Sequence, residues 1–215
     1  MRLWTKRLCS VLVLVFVLAL CFAQLYGGCV EESFDADEVL LFLEEAVNLD
    51  VAEYDVTQLG TSVTYPDWLD GLAQVTGKYA LESETSKIDV LFKFRNNTLS
   101  WCLMRILEGS PHYTESPSTD LRDLACFFLQ KYQEYSGDTE LEAMRNMLDL
   151  VDVTENSTKT VDNMELKVSV NSFSSSFDWR YIIDGIEYGG VDVSFRNGHL
   201  YAFGDDRSYY QIITP

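Results

Sequence analysis

Basic residues are scarce in this chain, which has 16 Lys and Arg against 34 Asp and Glu and a formal net charge of −18. An acidic excess of this size repels the phosphates of nucleic acids and anionic lipid head groups. The composition therefore predicts that the protein has no nucleic-acid partner. Because the acids are scattered along the chain, they favour a role in solubility, with binding of cations or basic peptides as the alternative.

Histidine is rarer still, with only His112 in a Pro/Ser-rich segment and His199 beside a predicted hairpin turn. A nucleophilic triad needs a base that is held by an acid and lies next to a Ser or Cys, and neither setting predicts one. The sequence also lacks the GxSxG, HExxH, Walker and GxGxxG motifs. It therefore predicts no catalytic residue, no cofactor and no metal site.

Carboxylates are numerous, so their count alone leaves open a hydrolase that works with a pair of acids. Asp205 and Asp206 follow the last predicted hairpin, where a Ca²⁺ ion can gather oxygen ligands. No spaced series of ligands accompanies them. The pattern therefore favours a solvated turn preceding Arg207.

The chain has no CxxC pair among its five cysteines. Cys9 and Cys21 lie in the apolar N-terminal segment, which leaves Cys29, Cys102 and Cys126 for the rest of the chain. Since three is an odd number, either one thiol stays free, or Cys29 carries a lipid and the other two form a disulfide. Two small buried side chains at Cys102 and Cys126 are an equally good interpretation.

A long apolar run at the N-terminus sets residues 1–28 apart as a signal peptide or membrane anchor. A basic stretch precedes the apolar residues 11–22, and residues 21–23 form an acceptable cleavage site. Residues 8–26 are also long enough for an uncleaved anchor, and the sequence before Cys29 resembles a lipoprotein box, which makes Cys29 a lipidation candidate. All three interpretations predict an extracytoplasmic protein, secreted or anchored to the outer face of the cell membrane.

In an exported protein, two sequons become candidates for N-glycosylation. They begin at Asn96 and Asn156 and have the Asn-x-Ser/Thr pattern. Asn156 lies in a polar loop and is the better candidate.

One phrase occurs twice in the chain. Residues 94–99 read Phe-Arg-Asn-Asn-Thr-Leu, and residues 195–200 read Phe-Arg-Asn-Gly-His-Leu. Each copy closes an alternating apolar run, and its Asn-Asn or Asn-Gly pair suits a two-residue hairpin turn. The repeat predicts an α+β fold of two helix-plus-antiparallel-meander units, residues 33–110 and residues 118–215. The second unit begins with an αα-hairpin.

Hydrophobic periodicity places the elements of these units. Helices are predicted over residues 36–48, 119–135 and 139–151, the second ending at Gly137 and the third beginning with a Thr139/Glu142 capping box. The predicted strands cover residues 51–62, 74–83, 87–95, 98–107, 158–173, 177–183, 186–195, 200–203 and 209–213. Residues 108–118 are the predicted linker.

The C-terminal part of the chain resembles PepSY-type domains. The residues that carry the resemblance are 179–186 (WRYIIDGI), 191–200 (VDVSFRNGHL) and 203–206 (FGDD), and the likeness spans about residues 139–213. It is greatest to secreted or membrane-anchored archaeal-type proteins with such modules. The resemblance implies a helix packed on an antiparallel meander, and a role in binding or inhibiting extracytoplasmic peptidases or in regulation at the cell envelope. It brings no catalytic residues.

Together these patterns predict a non-enzymatic extracytoplasmic binding or regulatory module, whose partner is a peptide or a peptidase at the cell envelope. Tyr209 and Tyr210 are candidates for an exposed strand edge that accepts an extended peptide. The alternatives are an extracellular acid-pair hydrolase and a plain cell-surface structural protein.

Overall fold

An antiparallel sheet dominates the computed structural model, which describes residues 36–65, 73–95 and 98–207. The nine strands within these ranges are β1 Asp55–Thr64, β2 Gln74–Glu82, β3 Lys87–Arg95, β4 Thr98–Glu108, β5 Ser157–Val161, β6 Met164–Val170, β7 Ser174–Ile183, β8 Ile186–Arg196 and β9 His199–Asp205. Their order across the sheet is β1-β2-β3-β4-β9-β8-β7-β6-β5. The predicted α+β class with an antiparallel sheet is confirmed.

The helical elements of the described residues are mostly short. They are α1 Ala36–Leu41, which continues as a π-helical turn Phe42–Ala46, α2 Leu121–Ser136, α3 Glu140–Met147, and 3₁₀ turns at Val51–Glu53 and Leu148–Leu150. The Asp120 carboxylate caps α2 by accepting hydrogen bonds from two backbone N–H groups. Gly137 ends α2 in the left-handed conformation, as predicted. At α3 the predicted capping box is wrong, because the Asp138 carboxylate takes that place and accepts from the Glu140 N–H.

Two of the predicted strands are wrong in part: the strand over residues 158–173 in its middle, and the strand over residues 51–62 at its start. Residues 158–173 form no single strand, because Asp162 adopts a φ of 51° and turns the chain between β5 and β6. A second turn follows at Asn171, whose carboxamide oxygen accepts from the Phe173 and Ser174 N–H groups. Residues 51–53 form a 3₁₀ turn, so that β1 begins only at Asp55.

The helices cover one face of the sheet. Phe42 of the π-helical turn and Phe128 and Tyr132 of α2 meet around Phe203 of β9, with ring centroids 4.5–5.7 Å from the Phe203 ring. Trp179 of β7 is fully buried, and its indole N–H donates to the Met144 carbonyl of α3. The elements before both meanders thus pack into one core over the middle of the sheet.

The two hairpins that contain the repeated phrase have the same strand register. Phe94 pairs with Leu99 and Lys93 with Trp101, while Phe195 pairs with Leu200 and Ser194 with Ala202. Each partner in the second hairpin lies 101 positions after its counterpart in the first, and each hairpin has a bulge at the same place. In the second hairpin, the turn residues Asn197 and Gly198 have φ values of 52° and 77°, as predicted for a type I′ turn. The first turn, residues 96–97, lies outside the described residues.

The last strands of the two meanders join them into one sheet. β4 and β9 pair over three residues only, Trp101 with Gly204, Cys102 with Phe203 and Leu103 with Ala202. A shift of 101 positions exchanges the two strands and maps this ladder onto itself. Because the ladder is so short, β4 and β9 separate at both of its ends, and a cleft opens at each end.

Candidate functional site

The β1 strand forms one edge of the sheet. Among the described residues it pairs with β2 only, and nine of its ten residues are exposed. A bulge at Leu59 interrupts its register, after which Gly60–Thr64 pairs continuously with β2. The outer edge of Gly60–Thr64 is called the β1 edge below. It presents main-chain donors and acceptors that no described strand pairs with and that another strand can use.

The side chains around the β1 edge do little to protect it. Soluble proteins shield long edges with lysine, proline or inward-pointing charges, and β1 has Thr, Ser, Val, Leu, Gln and Gly with a single charge at Asp55. Leu59, Val63 and Tyr65 are all exposed apolar side chains at this edge. The combination of open main chain and exposed apolar groups favours strand addition by a partner.

A charged network lies on the face of the sheet opposite the helices. The Arg180 guanidinium is 2.7 Å from Asp178, 3.2 Å from Asp206 and 4.0 Å from Asp192. Asp178 and Asp192 are direct cross-strand neighbours. Arg180 links these carboxylates, so the arrangement is that of an ion-pair network rather than of an acid and a base facing a substrate.

Asp192 is the member of this network with the largest change in acidity. Burial is the main cause that raises its pKa to about 6, while Arg180 opposes the change and Asp178 and Asp206 reinforce it. The Asp192 carboxylate also lies directly over Gly204, where a Cβ atom would collide with it. Gly204 therefore makes the room that this carboxylate occupies.

Replacing Asp192 by Asn is expected to stabilise the protein at neutral and higher pH. Because the folded pKa exceeds the ordinary value of 3.8, ionisation of Asp192 costs stability as the pH rises through about 6. The side chain is 38% exposed, so solvent screening reduces the gain to about 1 kcal/mol near pH 8. Urea unfolding at several pH values measures it. The gain should shrink towards pH 4, and a loss of stability at pH 8 would contradict this assignment.

A second network lines the cleft at one end of the β4–β9 ladder. This cleft of about 440 Å³ lies between Leu99 of β4, Asp205 of β9 and the α2–α3 turn. The Arg207 guanidinium donates to both Asp205 carboxylate oxygens and reaches Asp138 at 2.6 Å and Glu140 at 3.5 Å. It therefore fastens the α2–α3 turn to the end of β9.

The expected solvated turn at Asp205 and Asp206 is wrong. The Asp205 side chain is only 11% exposed and accepts a hydrogen bond from the Tyr132 hydroxyl, while Asp206 binds Arg180 and the Gly190 N–H. The alternation of side chains in β9 could have predicted this burial, because it puts Asp205 on the same covered face as Phe203. A carboxylate in that position needs a cation beside it.

Both histidines have hydroxyl partners. His112 Nε2 lies 3.2 Å from the Ser83 Oγ and 3.0 Å from the Thr85 Oγ1, and His199 Nδ1 lies 3.2 Å from the Tyr113 hydroxyl. His112 therefore has a serine beside it. In the described part of the chain its ring has no carboxylate partner, and the Ser83 Oγ accepts from N–H groups of its own turn. These contacts are those of a structured turn.

The described cysteines differ in their surroundings. Cys102 is buried in β4, where burial raises the pKa of its thiol, and Cys126 of α2 is half-buried near charged groups that include Asp149 and Arg145. Both are free thiols in the structure. The Cys102–Cys126 bridge stays a prediction for the oxidised protein, which intact-mass measurement tests. The lipidation candidate Cys29 lies outside the described residues.

The glycosylation candidate Asn156 is exposed just before β5. Its Oδ1 accepts a hydrogen bond from the Val170 N–H at 2.7 Å, which holds the side chain at the surface. The other candidate, Asn96, and the tyrosines Tyr209 and Tyr210 lie outside the described residues, as does the predicted signal or anchor segment 1–28.

The described ranges include no group of three or more His, Cys, Asp or Glu side chains placed to hold a metal ion. No helix in these ranges has the length and apolar character needed to span a membrane. A scan against protein-family models, a search of curated proteins and a search of solved structures each found no match for the chain. The resemblance to PepSY-type domains therefore stays a prediction.

Proposed function

We propose that the protein is a non-enzymatic extracytoplasmic binding module that takes an extended peptide segment of another protein onto its β1 edge. The observation that carries the proposal is the open main chain of Gly60–Thr64 with exposed Leu59, Val63 and Tyr65 beside it. Main-chain hydrogen bonds supply affinity in strand addition, and the side chains at the edge supply selectivity. The apolar N-terminal segment supports export, so the peptide would belong to a protein at the cell envelope, such as a peptidase.

The charge of the protein favours a basic partner. With a formal net charge of −18, the protein attracts cationic segments from a distance and repels acidic ones. The same charge opposes the pairing of β1 with the β1 edge of a second copy. The β1 edge itself adds no basic residue that would reverse this preference.

The proposed architecture is a tandem PepSY-like module. The hairpin register that recurs at an offset of 101 residues, bulge included, supports a duplication. The β4–β9 ladder supports it as well, because a shift of 101 positions exchanges the two strands and keeps the Cys102–Phe203 pair. In this proposal, β1 is the outer strand of the first repeat. The second repeat has one more strand, β5, which lies at the opposite edge of the sheet.

Binding to the β1 edge is expected to fail when lysines are introduced there. The probe is a peptide of alternating lysine and valine with the length of β1, and fluorescence anisotropy measures its affinity for the full-length protein. The L59K/V63K variant should bind at least about tenfold more weakly, because charged side chains on an edge oppose strand addition. The same peptide with N-methylated amides keeps its charge and loses its donors, so it should bind equally weakly to the wild type.

The matched control places lysines on exposed apolar positions away from the edge. L150K/F173K makes the same change in net charge at Leu150 and Phe173, which are both exposed. It should bind the peptide as the wild type does. Equal losses in the two double variants would mean that the peptide senses net charge alone, and the proposal would then be wrong.

A further inference from the structure

The cleft at the other end of the β4–β9 ladder has the opposite charge to the rest of the protein. Its volume is about 300 Å³, and its lining includes Arg105 of β4 and Arg196 of β8. Of the described residues, no Asp or Glu lines this cleft. Two arginines without an acid are unusual in a chain with 34 acids and 16 bases.

Neither arginine is neutralised by an acid in the described part of the chain. Arg105 lies opposite Asp89 in the sheet register, and the two side chains form no ion pair. Within the described ranges, no salt bridge includes Arg105 or Arg196. Both residues are exposed. The Arg196 guanidinium lies 5.6 Å from the centre of the Tyr201 ring, a cation–π contact that holds it at the cleft.

Apart from the two arginines and Asn197, the lining of the cleft is largely apolar. Met104 and Leu200 are buried beneath it, and Ile106 and Tyr201 form its sides. Its volume is at the small end of the range for ligand pockets. The β4–β9 ladder ends at Leu103 and Ala202, so the main chain on either side is also open to a ligand.

The cleft at the other end of the ladder shows how an arginine in this setting is satisfied. There, the Arg207 guanidinium binds the Asp205 carboxylate through two hydrogen bonds. Such two-pronged arginine–carboxylate contacts are among the strongest hydrogen bonds in proteins. A shift of 101 positions takes Met104 to Asp205 and Ile106 to Arg207, so the arginine cleft has apolar residues at both of these positions. Its guanidinium groups come from Arg105 and Arg196 instead, and no described carboxylate lines the cleft beside them.

We propose that the cleft between Arg105 and Arg196 binds a carboxylate carried on a small apolar group. The arginines hold the carboxylate, and Met104, Leu200 and Tyr201 contact the apolar part. This site is separate from the β1 edge and does not depend on the proposed peptide binding. The carboxylate belongs either to a free organic acid or to the C-terminus of a peptide, and both present the same chemistry.

Titration calorimetry with N-acetylphenylalanine and the full-length protein tests the proposal. The acid should bind, and R105Q/R196Q should weaken it by about a hundredfold or more, since each lost charged hydrogen bond costs about tenfold. N-acetylphenylalanine amide should bind no better to the wild type than the acid binds to the double variant. The tripeptide Gly-Gly-Phe with a free C-terminus completes the set: tighter binding than the acid assigns the site to peptide C-termini, and weaker binding assigns it to free acids.

K78Q/K167Q is the matched control, because it removes two charges from exposed lysines outside the cleft. It should leave the affinity for the acid unchanged. Equal binding of acid and amide, or equal losses in the two double variants, would overturn the proposal. Because both arginines are exposed and have no ion pair with a described residue, R105Q/R196Q should shift the urea midpoint only slightly, through loss of the Arg196–Tyr201 cation–π contact. A large shift in that midpoint would give the arginines a structural role and would also overturn the proposal.

Discussion

R207Q should lower the free energy of unfolding by about 3 kcal/mol at neutral pH. The Arg207 side chain is 10% exposed and its main partner Asp205 is 11% exposed, so the variant leaves a buried carboxylate without its cation. Asp138 and Glu140 lose the same partner. Burial alone would lower the pKa of Arg207, but the hydrogen bonds and charge of Asp205 together raise it, which keeps the guanidinium charged. Urea unfolding followed by circular dichroism measures the loss.

The matched control for R207Q is R105Q, which removes an exposed arginine without ion pairs from the equivalent cleft. It should change the unfolding free energy by no more than about 0.5 kcal/mol. A similar small effect for both variants would show that the Arg207 network contributes little to stability.

F203A should destabilise the protein by about 4 kcal/mol, the range for removal of a large buried aromatic side chain. Phe203 is fully buried and contacts Phe42 from the first half of the chain and Phe128 and Tyr132 from the second. The variant therefore opens a cavity where both sets of helices meet the sheet. Differential scanning calorimetry should show one unfolding transition at a lower temperature.

The control for this variant is F173A, because Phe173 is 70% exposed. Its melting temperature should stay close to that of the wild type. If F203A instead splits the transition into two, the halves of the chain unfold independently. That result would contradict a core shared across the β4–β9 junction.

Local patterns in the sequence predicted the hairpins well. The Asn197-Gly198 and Asp184-Gly185 turns have the positive φ values that their residues favour. The β5–β6 turn was missed because Asp162-Asn163 is a weaker turn signal than Asn-Gly, and the polar residues around it do not interrupt the pattern of a long strand.

Contacts between distant parts of the chain were beyond sequence reasoning. The pairing of β4 with β9 joins residues about a hundred positions apart through three pairs only, and alternation does not specify a partner strand. The β1 edge and the arginine cleft both depend on this strand order. The role of Arg207 was missed for the same reason, because its partners Asp138 and Glu140 lie far from it in the sequence.

Amide hydrogen exchange tests directly whether an extended peptide adds to the β1 edge. Exchange is followed with and without the alternating lysine–valine peptide. The amides of Gly60–Thr64 should become protected, while those of Ser157–Val161 in β5, at the opposite edge of the sheet, should exchange as before. Unchanged exchange at Gly60–Thr64 under saturating peptide, or equal protection at both edges, would contradict strand addition at the β1 edge.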